Sequence, residues 1–157
     1  MGFFDGYNVS TSGMSAQRTR INVVSANIAN AKTTHTQEGG PYKKQQVVFE
    51  DVLLNKSKTS NSNGIESNIE SNNDKNSAME LRGVGVKSVI ASDVKPILRF
   101  EPTHPDANEE GYVEYPDINP VVEMVDLIEA MRSYEANVAS FNTHKNIDSK
   151  TLDILKV

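Results

Sequence analysis

The sequence contains no cysteine, which excludes a disulfide framework, a thiol nucleophile and a cysteine-bound zinc. Such a chain is also indifferent to the redox state of its compartment. Basic residues are in deficit, with 16 Lys and Arg against 21 Asp and Glu for a net charge of −5, and they gather into no stripe. No nucleic-acid partner is therefore expected, because phosphate recognition needs a broad basic face. No apolar run approaches the roughly eighteen residues of a membrane span. Residues 1–30 also lack the continuous apolar core of a cleaved secretory signal. If the protein leaves the cytoplasm, the expectation is a route that cleaves no such signal.

Catalytic signals are equally thin. His35, His104 and His144 fall in three separate contexts. The nearest approach to a site is His104-Pro105-Asp106 with Glu109 and Glu110, where a turn could converge an imidazole and carboxylates on a metal ion or a water. Two prolines and Asn108 already explain that loop by turn chemistry. Gly83-Val84-Gly85-Val86 opens no helix, so it is not a phosphate loop. No serine stands in a nucleophile elbow. The expectation is a protein that is not an enzyme, with no catalytic, cofactor-binding or metal-binding residues and no small-molecule substrate.

What the sequence does contain is helix at both ends. From Ser12, a possible cap, apolar Met14, Ile21, Val24 and Ile28 fall on a seven-residue grid, the pattern of a seam meant for another helix. Asn27-Ile28-Ala29-Asn30 ends the run before Thr33-Thr34: either Asn30 is a C-cap and Asn27 faces solvent, or both amides bond the backbone of an adjacent subunit. Phe3, Phe4 and Tyr7 precede the helix as a local aromatic cluster. At the other end, Asn119-Pro120 gives a capping residue and a proline at the first helical position, with Glu123 and Asp126 near the positive end of the helix dipole. No glycine or proline interrupts the sequence from Val121 to Leu155. Val121, Met124, Ile128, Met131, Val138 and Phe141 recur there at helical spacing, and Leu152 and Leu155 repeat the last two. That helix would be about 55 Å long, too long for a small β module to cover.

Between the helices the chain changes character. Gly39-Gly40-Pro41 breaks it, and Tyr42–Leu54 reads as an extended arm or strand. Residues 55–78 are mostly Asn, Ser, Lys and Glu with two isoleucines, too polar to offset the entropy of ordering, and read as a flexible insertion. Val84–Ala91 and Ile97–Phe100 read as two strands of one hairpin, followed by a proline-rich loop and a third extended piece, Tyr112–Tyr115. The expected fold is mainly α with a small β module. Residues 1–34 and 119–157 form paired, coiled-coil-like terminal helices, residues 35–54 an arm, 55–78 the insertion and 79–118 the β module and loop.

Two stretches carry a family resemblance. Ser12-Gly13-Met14-Ser15-Ala16-Gln17-Arg18 with Ile21 to Thr34, and Glu123 to Asn137, resemble the N- and C-terminal signatures of the bacterial flagellar axial family, the rod and hook proteins. Glu38–Tyr42 and His104–Val113 are similar to stretches of its proximal-rod members. The resemblance implies a structural subunit of the proximal rod, exported by the flagellar type III apparatus without cleavage. Its partners would be copies of itself and other rod proteins, in a hollow shaft that passes torque to the hook. On that reading the subunit interface comprises Met14, Gln17, Arg18, Ile21, Val24, Asn27, Ile28 and Asn30 on the first helix. On the second it comprises Val121, Met124, Ile128, Met131, Tyr134, Glu135, Val138, Phe141, Asn142, Leu152 and Leu155. The polar members Gln17, Asn22, Glu135 and Asn142 would set register between subunits. Two competing expectations are a soluble coiled-coil adaptor or export chaperone, with both helices folded in the free chain, and a small metal hydrolase built on His104 and Asp106.

Overall fold

The computed structural model describes residues 5–37, 39–54 and 81–155. Helix α1 runs from Asp5 to Ala29 and helix α2 from Pro120 to Leu155. Strand β1 (Gln45–Leu53) pairs antiparallel with β2 (Arg82–Ala91), with a register shift between Val48 and Phe49. Strand β3 (Ile97–Phe100) pairs antiparallel with β4 (Tyr112–Tyr115) as a separate two-stranded sheet. Two long terminal helices with a small β module between them are what the sequence predicts. Phe3, Phe4 and the polar insertion at 55–78 lie outside the described residues.

Helix α1 starts earlier than expected. Asp5 supplies the acidic first turn, Tyr7 lies inside the helix, and Ser12 is not a cap. Its hydroxyl donates to the Val9 carbonyl (2.7 Å) and accepts from the Val84 N–H (3.2 Å), which ties β2 to the middle of α1. The far end behaves as the sequence suggests: the Asn30 amide turns back to the Ala26 carbonyl (2.9 Å), and Thr33 Oγ1 donates to Asn30 Oδ1 (3.1 Å). Asn30 closes its own helix. Helix α2 opens as predicted, with Asn119 Oδ1 accepting from the Val121 N–H at 3.0 Å and Pro120 at the first helical position.

The two helices are antiparallel partners. Tyr7 Oη donates to Asp148 Oδ2 (2.6 Å), and its ring meets Phe141 edge-on with centroids 4.9 Å apart. Ser10 donates to Ser140 (3.3 Å), Gly13 lies against Asn137, and Asn27 reaches Glu123. Close approach explains the glycines. A Cβ on Gly6 would stand 2.7 Å from the His144 ring, and one on Gly13 would stand 2.8 Å from Asn137 Oδ1. Each glycine costs a helix about 1 kcal/mol relative to alanine, and here that cost is offset by the short distance between the axes.

The expected single hairpin of Val84–Ala91 and Ile97–Phe100 is not formed, because each strand pairs with another. Strand β2 takes β1 as its partner across the segment 55–80, and β3 takes β4 across the proline-rich loop. That loop closes through Glu101 N–H to Gly111 C=O (2.9 Å) and Gly111 N–H to Asn108 C=O (2.9 Å), with Gly111 at φ 83°. A positive φ of this kind favours glycine. Alternation of apolar residues identifies a strand but does not name its neighbour.

Among the described residues the core is small: the buried apolar side chains are Ala16, Val23, Val24, Val113, Ile118 and Ala130. No helix among the described residues is long and apolar enough to cross a membrane.

Candidate assembly interface

Two different faces of the helix pair emerge from the packing. The face that α1 turns to α2 carries Ser10, Gly13, Ala16, Val24 and Asn27, all buried and mostly small. The answering face of α2 includes Glu123 and Ala130, buried, with Tyr134, Asn137, Phe141, His144 and Asp148 partly so. Spacings of three and four along both sets match the seam of an antiparallel helix pair. Its content is polar and small rather than leucine-rich.

The predicted apolar grid is distributed differently. Val24 and Asn27 are buried in the seam, while Met14, Gln17, Ile21, Ile28 and Asn30 are half-buried and Arg18 is exposed. On α2, Tyr134, Val138 and Phe141 are half-buried, and Glu135 and Asn142 are exposed. Val121, Met124, Ile128 and Met131 are 68, 50, 52 and 47% exposed, so the fold of the single chain leaves about half or more of each uncovered. Val122 and Val125, which the heptad grid passes over, widen this outward stripe at 52 and 51%. Beyond Asp148 the helix has no facing turn of α1 among the described residues, and Leu152, Ile154 and Leu155 are exposed. Val121, Val122, Met124, Val125, Ile128 and Met131 thus form an exposed apolar stripe along the first turns of α2.

At the other end of the pair, three segments meet at a buried polar node. Asn27, in the last turn of α1, and Glu123, in the first turn of α2, are each 1% exposed. Asn27 Nδ2 donates to the Gln45 carbonyl (2.9 Å) and to Glu123 Oε2 (3.0 Å). Asn27 Oδ1 accepts from the Gln45 N–H (2.9 Å) and from Tyr42 Oη (3.1 Å). Both donors and both acceptor positions of the amide are used. Glu123 Oε1 is paired with Lys44 Nζ at 2.6 Å. Burial, and next the nearby Glu123 carboxylate, push the Tyr42 phenol above its ordinary range.

Asn27 is thus not solvent-facing; it holds the chain's own arm. The sequence singles out Asn27 but not Tyr42, Lys44 or Gln45 as its neighbours. The one available signal was Glu123, a carboxylate standing among apolar residues where α2 begins.

The polar side chains of the His104 loop are engaged within the chain. His104 Nδ1 accepts from the Asp106 N–H (3.1 Å), Asp106 Oδ2 accepts from Thr34 Oγ1 (2.7 Å), and Tyr115 Oη donates to Glu101 (3.0 Å). These contacts close the turn and attach it to the end of α1. Among the described residues no group of three or more metal-type ligands converges.

Known proteins share both helices. The family described as flagella basal body rod protein matches residues 8–34, and the C-terminal family of flagellar basal body rod FlgEFG proteins matches residues 109–154. A flagellar basal-body rod protein FlgC from Borreliella burgdorferi is 39% identical over 99% of both chains. Proteins of the same name from Bacillus subtilis and Salmonella typhimurium are 39% and 33% identical over 98% of both chains. The relatives carry the name of a rod component and not of a reaction. The two family matches cover α1 and α2, whose pairing organises the fold, and the relatives span nearly the whole sequence, so the chain belongs to the FlgC family of flagellar basal-body rod proteins.

Proposed function

We propose that this chain polymerises with copies of itself and with other flagellar rod proteins into the hollow proximal rod, the drive shaft that passes motor torque to the hook. The observation that carries the proposal is the outward apolar stripe of α2, Val121, Met124, Ile128 and Met131, which the chain's own fold leaves exposed. Met14, Ile21 and Ile28 on α1 and Leu152 and Leu155 on α2 extend the apolar surface available to neighbours. Gln17, Arg18, Glu135 and Asn142 stand beside these residues and would fix the register between subunits. Asn27 and Asn30 contribute indirectly, by holding the end of α1 and the arm.

Delivery follows from the same economy. A chain with so small a core gains much of its stability from neighbours, so it travels unfolded through the type III export apparatus, uncleaved, and folds as it assembles. The test is complementation of a motile host whose own copy is deleted, using Ile128→Asp and, separately, Ile28→Asp. Each variant should be present in the cytoplasm yet give no rod and no swimming. Normal motility with either would overturn the packing proposal.

A further inference from the structure

We propose that Glu123 is a folding gate: its buried carboxylate keeps the α1–α2 pair from closing at this end until the arm has docked and brought Lys44 to it. Closing the helices takes Glu123 out of water on the side of α1, and with the arm docked it is 1% exposed. An unpaired carboxylate in that position carries a heavy desolvation penalty. The helices offset the charge only weakly: α2 offers the dipole of its first turn, the contact from α1 is the neutral Asn27 amide, Arg20 of α1 is paired with Asp126 and Glu129, and the cation on Glu123 is Lys44, on the arm. Asn27 enforces the same order, because its remaining donor and acceptor are matched to the main chain of Gln45, the first residue of β1. The helices therefore cannot close at low cost without residues 42–45, and the β1–β2 hairpin docks together with the helix pair as one event. The inference concerns the single chain and stands independently of its place in a rod.

The gate is distinguished from an ordinary stabilising ion pair by what its removal does. An apolar residue at position 123 has no charge to compensate, so it should release the helices from the arm rather than weaken both. The measurement is folding of the full chain in a trimethylamine N-oxide titration, an osmolyte that favours burial. Helix is followed by circular dichroism at ~222 nm, as in any helical protein. Docking of the hairpin is followed by the emission of Phe49→Trp, a position that lines the crevice against Val23 and Val24.

With Glu123 intact the two signals should rise together. In Glu123→Met the helix signal should rise at an osmolyte concentration no higher than before, while the tryptophan signal lags. In Lys44→Met the helix signal should move to higher osmolyte, with the folding constant reduced at least ~10²-fold, and Lys44→Met/Glu123→Met should recover most of that loss. Coincident signals in Glu123→Met, separate signals with Glu123 intact, or a double variant no better than Lys44→Met would each overturn the proposal.

Discussion

Asn27 and Gln45 exchange two hydrogen bonds, side-chain amide with main chain, each 2.9 Å long. A residue on a helix thereby takes the place of a neighbouring strand, and Gln45 is paired on its other edge with Ala91. This contact fixes where the arm leaves α1.

Asn27→Ala strands the Gln45 N–H and C=O and removes a donor from the buried Glu123. Each unsatisfied buried group costs about 1–3 kcal/mol, so the variant should lose about 3 kcal/mol of folding free energy in a denaturant or osmolyte titration. Asn27→Asp should lose more, because it sets a second carboxylate against Glu123. A loss under about 1 kcal/mol for alanine would show that water replaces the amide without cost.

Gly13 tests the close approach of the helices. Alanine there gains about 1 kcal/mol of helix propensity but places its Cβ against the Asn137 side chain, which is held by a 2.9 Å bond to the Ser133 carbonyl. Gly13→Ala should therefore yield less than the full propensity gain. In an Asn137→Ala background the same change should yield all of it, as read from melting midpoints in a double-mutant cycle.

These positions also mark what the sequence disclosed. Hydrophobic periodicity announced two helices that seek partners, and capping chemistry placed the start of α2 at Asn119-Pro120. The intrachain seam was harder to read, because helices in close contact need small residues such as Ser10 and Gly13, which carry no apolar signal. Met14 and Ile128 stand out in the sequence for the opposite reason: they are apolar, yet the fold leaves them partly or largely uncovered. The start of α1 was hidden by Gly6, which reads as a breaker unless the His144 ring against it is known. The polar node was illegible because Asn27 and Glu123 lie far apart in the chain, and no local pattern predicts that an asparagine will meet a strand.

The outward and inward faces of α2 should respond oppositely to substitution. Ile128→Asp lies on the exposed stripe, so the free chain should keep its stability to within about 0.5 kcal/mol. Ala130→Leu forces bulk into a fully buried position against α1 and should cost about 1–3 kcal/mol. Midpoints of osmolyte-driven folding for the two purified variants check the contrast. Equal losses would mean that the stripe is covered within the single chain.

Alkali should loosen the node through Tyr42. Its phenol is raised above the ordinary value of 10.0, chiefly by burial and then by the charge of Glu123. The folded state therefore favours the protonated phenol more than the unfolded state does. That contribution is whole below about pH 10, the phenol's pKa in an unfolded chain, and is lost as the pH climbs through the higher folded-state pKa, because ionised tyrosine is less costly in the unfolded chain. Stability measured against pH should fall on the alkaline side of 10, and Tyr42→Phe should make that fall shallower while lowering stability at neutral pH through the lost bond to Asn27 Oδ1. Tyr7, raised by its bond to Asp148, acts in the same direction at the far end of the helix pair, so Tyr7→Phe/Tyr42→Phe should flatten the alkaline limb further than either single change. Spectrophotometric titration of phenolate absorbance, run beside the unfolding curves, would show the titrating groups moving to lower pH as the protein unfolds. An alkaline limb unchanged in both single variants and in the double variant would place the alkaline sensitivity elsewhere.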